Sequence, residues 1–206
     1  MSAFDQGRYQ VRLDWGAAGI ERLAPADVYV IVDVLSFTSE VAATVAGGDT
    51  VELADARGDG AALAQAAAAL PHGPLVFAGS LRNASAVARA VKAEQERRSA
   101  RTSVAIIPAG ERTPDGAIRF AVEDQLGAGA VIDALVPLGI DHSSPEAVVA
   151  AEAFAGLRRA VKHLLTASAS GLEREERGHT AQVRAAAAID DLDVAPLLRH
   201  AAFHPA

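Results

Sequence analysis

The sequence predicts an α/β fold with a mainly parallel sheet and helices on both faces. Two observations carry this. Apolar runs rich in β-branched residues recur at Val28-Tyr29-Val30-Ile31-Val32, Leu75-Val76-Phe77-Ala78 and Val104-Ala105-Ile106-Ile107, the pattern of strands buried on both faces. Alanine-rich segments alternate with them through the first two thirds of the chain. Strands alternating with helices imply right-handed βαβ units.

Taken in order, Tyr9 to Asp14 alternates with period two and reads as a half-buried strand. Trp15 to Gly19 breaks it, and Ile20 to Leu23 forms a helical turn before Pro25. The strand from Val28 to Val34 ends in Asp33 followed by hydroxyls. Phe37 to Ala46 reads as a helix with Ser36 or Thr38 near its start, stopped by Gly47-Gly48. Thr50 to Ala54 is a short second strand and Gly60 to Leu70 a helix. Leu75 to Ala78 is a third strand, and Gly79-Ser80 turns into a helix from Asn83 to Arg98. Ser103 to Pro108 is a fourth strand, followed by a polar loop from Ala109 to Gly116. Glu123 to Leu138 and Pro145 to Ala167 read as helices, the second capped by Ser143 or Ser144. Leu172 to Gly178 is a charged helical turn, Thr180 to Ala188 a helix, and Val194 to Leu198 a short terminal strand. There is no internal repeat, so residues 1–206 are expected to form one domain.

The composition narrows function. The formal net charge is −7 and no basic stripe stands out, which argues against a nucleic acid partner. No apolar run is long enough to cross a membrane. Met1 to Gln6 carries neither a basic region nor an apolar core, so a cytoplasmic location is expected. Cysteine is absent, which removes disulfides and thiolate chemistry. Of the six histidines only His200 and His204 have i, i+4 spacing, and Pro205 follows them at the chain end, a poor frame for zinc.

Candidate chemistry gathers in the loops that follow apolar strands: Asp33 to Ser39, Asp55 to Gly60, Gly79 to Asn83 and Gly110 to Asp124. In a parallel sheet these leave one edge, where α/β proteins place ligands. Asp33 can cap the following helix, or it can hold a cation, since an unpaired carboxylate in apolar surroundings is costly. Glu123-Asp124 can favour a helix N-terminus by charge alone, or can share a hard cation with Asp33. Gly79-Ser80-Leu81-Arg82-Asn83 opens a helix and offers backbone N–H groups to an anion, although Ser or Asn is also an ordinary N-cap. Neither a Gly-x-Gly-x-x-Gly nor a Walker-type loop is present.

Four stretches then occur in one order: Val32 to Ser39, Gly79 to Ala88, Pro108 to Arg112, and Val122 to Ala130. With Val11-Arg12-Leu13-Asp14-Trp15-Gly16 and the late Ser170-Gly171 and Gly178, they resemble the 2-phosphosulfolactate phosphatase (ComB-like) family. The resemblance implies a three-layer α/β architecture, often dimeric. It also implies a Mg²⁺-dependent phosphatase that hydrolyses 2-phosphosulfolactate to sulfolactate and phosphate in coenzyme M biosynthesis. Asp33, Glu123 and Asp124 are then the metal residues, with Asp33, Glu123 and Arg112 catalytic. Substrate would be bound by Ser36, Thr38, Ser80, Arg82, Asn83 and Gly110, and Arg112, with Arg82 second, would pair with a sulfonate or carboxylate.

The sequence departs from that family between Asp55 and Ala78. Members carry there a longer segment with Asn-Ser-Pro-like and Thr-Asn-Gly-Thr-like stretches, and this chain has the alanine-rich Ala61 to Leu70 instead. It also reads Leu-Ser-Phe-Thr-Ser where the first motif commonly reads Leu-Arg-Ala-Thr-Thr. The alternative reading is therefore a catalytically impaired relative that binds a small anion or a protein partner.

Overall fold

The computed structural model describes residues 2–206. Its elements run β1 (Val11–Leu13), α1 (Gly16–Arg22), β2 (Val28–Val32), α2 (Phe37–Ala46), β3 (Val51–Glu52), α3 (Asp59–Ala68), β4 (Leu75–Gly79), α4 (Ala84–Arg98) and β5 (Val104–Pro108). A small hairpin of β6 (Glu111–Arg112) and β7 (Ile118–Arg119) follows. The chain continues through α5 (Val122–Leu135), α6 (Pro145–Leu157), α7 (Val161–Ala167), α8 (Ala169–Glu176) and α9 (Thr180–Ala186), and ends in β8 (Pro196–Arg199) and β9 (Ala202–Pro205).

The sheet has seven strands in the order β1-β5-β2-β4-β8-β9-β3. The pairs β1–β5, β5–β2 and β2–β4 are parallel. The pairs β4–β8, β8–β9 and β9–β3 are antiparallel. The sheet is thus mixed, which corrects the expectation of a mainly parallel one. The cause is the terminal hairpin. His200 and Ala201 link β8 to β9 with φ of 50° and 66°, the left-handed conformation of a tight hairpin turn, and a tight turn can join only antiparallel neighbours. β9 itself was not foreseen, and β3 pairs with it rather than with the parallel set.

Period-two patterning divides the core into two layers around this sheet. Val28, Val30, Val32, Val104 and Ile106 face α4, α5, α6, α7 and α9. Tyr29, Ile31, Val76, Ala105 and Ile107 face α1, α2, α3 and Phe203 of β9. Helices therefore cover both faces, consistent with a three-layer architecture. Gly127 permits the closest approach of α5, since a Cβ there would stand 2.5 Å from Val34 Cγ2. No helix among the described residues is long and apolar enough to cross a membrane.

Three local expectations change. β1 is buried throughout rather than half-buried. Arg12 within it is 6% exposed, and its guanidinium donates to the carbonyls of Tyr9, Ala24 and Pro25, which answers the cost of burying a cation. The stretch from Gly16 to Gly19 belongs to α1 instead of breaking the chain. The long helix expected from Pro145 to Ala167 is interrupted by a 3₁₀ turn at Arg158–Ala160, just beyond Gly156, the weakest helix former in that stretch.

Candidate active site

At the C-terminal end of β2 the apolar strand gives way to Asp33, only 8% exposed. Its Oδ1 accepts from Ser36 Oγ at 2.5 Å, and its Oδ2 accepts from Gly60 N at 3.0 Å. The carboxylate therefore ties the start of α2 to the first turn of α3. Thr38, fully buried, closes the loop: its Oγ1 donates to Asp33 O and accepts from Asp33 N.

Asp124, in the first turn of α5, is 2% exposed. Its Oδ1 accepts from Val34 N at 2.8 Å and its Oδ2 from Gly110 N at 2.9 Å. It thereby fastens the loop after β2 to the loop after β5. Glu123 beside it is 3% exposed and lines the same cavity. Among the described residues, no hydrogen bond or ion pair reaches its carboxylate.

Three of the four expected loops converge. Asp33 and Ser36, Gly58 and Asp59, and Gly110 with Glu123 and Asp124 line one cavity of about 190 Å³. At roughly 30 Å³ per water molecule this is room for about six waters. The loop after β3 reaches the cavity even though its strand lies outside the parallel set.

The fourth loop does not line it. Ser80 and Asn83 are fully buried. Asn83 Oδ1 accepts from Ser80 N and Ser80 Oγ, and its Nδ2 donates to Ala78 O and Val194 O. Every polar atom of the Asn83 amide is engaged, so the pair forms a closed cap. Arg82 makes a two-pronged pair with Asp191 at 2.9 and 2.7 Å. Arg112 is also engaged: its Nε donates to Asp59 Oδ1 at 3.0 Å from outside the cavity lining.

A further wall comes from α8, through Ser170, Glu173 and Arg174, and from Arg177, which ends that helix. Ser168 caps this helix by accepting from Gly171 N. Gly171 lets α8 press on the end of α7, since a Cβ there would meet Leu165 O at 1.9 Å. Neither Arg174 nor Arg177 is among the site residues expected from the sequence. The available signal is the charged run after Ser170-Gly171, which reads as a charged helical turn.

The charges are unbalanced on the acidic side. Burial pushes the Asp33 carboxyl above its ordinary range, partly opposed by the hydrogen bonds from Ser36 and Gly60, by the nearby backbone N–H of Phe37 and by the Arg174 charge. Asp124 is driven well above its ordinary range, first by burial and then by the negative charge of Asp33. Two buried carboxylates that repel each other suit a hard cation with oxygen ligands. Among the described residues, however, no group of three or more acidic or histidine side chains is gathered tightly enough to hold a metal ion. Asp33 and Asp124 thus form a buried carboxylate pair with Glu123 near it, rather than a three-residue cage. A larger hollow of about 620 Å³ lies beside Trp15. The charged residues Asp14 and Arg22 in it pair with each other at 2.5 Å.

Fold and site together define a mixed α/β protein with a small acidic cavity at the end of its parallel strands. The family model described as 2-phosphosulpholactate phosphatase matches residues 59–201, more than half of the chain, and the protein belongs to that family. The match covers Gly110, Glu123, Asp124 and α8, while Asp33 and Ser36 lie before it. No curated protein matches the chain.

Proposed function

We propose that this protein is a Mg²⁺-dependent phosphatase acting on a small anionic phosphoester, with 2-phosphosulfolactate, hydrolysed to sulfolactate and phosphate, as the substrate its family suggests. The observation that carries the reading is the meeting of Asp33 with the distant Glu123-Asp124 pair around one small cavity. Asp33 and Asp124 would hold the ion, each keeping a lone pair on oxygens that already accept one protein hydrogen bond. A bound Mg²⁺ would supply charge stabilisation for the phosphoryl oxygens. Glu123, with no protein donor on its carboxylate, is the group free to orient a water and accept its proton. Ser36 Oγ and the first turn of α3 close the floor, and the arginines of α8 face the incoming anion. The reading includes the homodimer that the family resemblance implies. Phe4, Phe120 and Val149, all exposed around Trp15, offer it an apolar face.

The test is phosphate release from 2-phosphosulfolactate and from phospholactate, with chelated protein and after addition of Mg²⁺. Release that depends on the ion is the expected result. No release from either ester by folded protein would overturn the reading. It would leave the second one, an anion-binding relative without turnover, which the lack of a three-ligand metal group among the described residues favours.

A further inference from the structure

A phosphoester that also carries a carboxylate needs a second cationic contact, and Arg112 and Arg82 are engaged elsewhere. Arg112 is paired with Asp59, and Arg82 with Asp191. On α8, Arg177 is paired with Glu173 at 2.6 Å. Arg174 differs from all three. It is half-buried, it lines the cavity, and among the described residues its guanidinium makes no hydrogen bond or ion pair. Its charge reaches Asp33 across the cavity. Its position is built, because Gly171 has no room for a side chain and the Ser168 cap fixes the first turn of α8.

The geometry points to Arg174 as the residue that binds the carboxylate on the carbon that bears the phosphoryl oxygen. This rests on the phosphatase reading above. The phosphoryl group belongs on the acidic side, where a cation would meet it. Arg174 is the cavity-lining cation whose guanidinium has no protein partner among the described residues, so it is the group left to meet the carboxylate. A guanidinium presents a planar fork that matches a carboxylate or sulfonate with two parallel hydrogen bonds. Arg174 is thus a specificity residue, and it is reached through α8 rather than through a strand-end loop.

The experiment compares phospholactate with isopropyl phosphate, in which a methyl group replaces the carboxylate. In Arg174→Met, KM for phospholactate rises about tenfold or more while KM for isopropyl phosphate stays within about twofold, with kcat little changed for either. Arg174→Lys recovers part of the loss. Both variants melt within about 2 °C of the parent, since no hydrogen bond or ion pair of the protein is removed and the aliphatic stem is kept. An equal rise for both esters, or no rise for either, overturns the assignment. If the parent protein hydrolyses neither ester, the phosphatase reading fails separately, and phospholactate becomes a stable ligand for calorimetry. Binding to the parent that weakens about tenfold in Arg174→Met then supports the assignment. Absent or unaltered binding overturns it.

Discussion

The loops that leave β2 and β4 are neighbours, because those strands pair in parallel register from Val28↔Leu75 to Val32↔Gly79. Each carries a serine and opens a helix. Their fates differ. After β4, Asn83 uses all its donors and acceptors on Ser80, Ala78 and Val194. After β2, each oxygen of Asp33 has one protein donor, and the cavity beyond it meets Glu123, which has none among the described residues. A strand–serine–helix signature thus marks either an anchor or a binding surface. Which it becomes depends on whether distant segments saturate its polar groups. Val194 comes from far down the chain to close one loop, while α8 arrives over the other and leaves room.

That contrast is most sharply tested by Asp33→Asn. The amide keeps the shape of the loop and can still accept from Gly60 N. We expect kcat/KM for phosphate release to fall by about a thousandfold, as for loss of a group aimed at developing charge, with the melting temperature nearly unchanged. Activity retained in this variant would remove Asp33 from the site. Asn83→Ala should do the reverse. It strands Ser80 N and two carbonyls in the core, a cost of about 3 kcal/mol, or roughly 6–12 °C in melting temperature. KM in the folded fraction should not move. A variant that melts normally but binds substrate poorly would make the β4 loop a second binding surface after all.

A third test uses pH. Asp124 is raised above the ordinary value of 3.8 by burial and by Asp33. Between that value and its raised pKa the folded protein binds more protons than the unfolded chain, so stability falls as pH rises through this window. Asp124→Asn should flatten that part of the pH profile of denaturant midpoints, even if it shifts the whole curve by losing a contact to Val34 N or Gly110 N. Above the window, Mg²⁺ at ten times its dissociation constant should restore about 1.4 kcal/mol, an effect absent from Asp33→Asn. A profile that rises with pH over the window, or stabilisation by Mg²⁺ that survives in Asp33→Asn, would show that these carboxylates do not repel across a cation site.

The sequence made much of the parallel half legible, because buried strands announce themselves by unbroken apolar runs and their helices by alanine and by glycine stops. Val28–Val32, Phe37–Ala46 and Leu75–Gly79 fall within a residue or two of their expected limits. The terminal hairpin was hidden for a physical reason. Its turn is His200-Ala201, with neither glycine nor asparagine to signal a positive φ. Within the site, Asp33, Gly110 and Glu123-Asp124 were legible as polar groups after apolar strands. Ser80 and Asn83 carried the same signal, but the segment that saturates them lies more than a hundred positions later, beyond any local pattern. The wall from α8 was obscured for the opposite reason, since a charged run on a short helix looks like any solvated turn until Gly171 and Ser168 fix it against α7.

The smallest effect, and the one that separates the two loops most finely, is expected from Arg82→Ala. Arg82 stands at the helix start that sequence alone would offer to an anion, yet its guanidinium is held by Asp191, whose side chain is 39% exposed. Pairs of this kind at the surface contribute about 0–1 kcal/mol, so the melting temperature should drop by no more than about 4 °C. The kinetic constants should stay at the parent values for phospholactate and isopropyl phosphate alike, because the guanidinium lies outside the cavity lined by Asp33 and Arg174. A rise in KM for both esters would mean that Arg82 leaves Asp191 to meet the phosphoryl group. The loop after β4 would then open on binding, and the closed cap around Asn83 would be only its resting form.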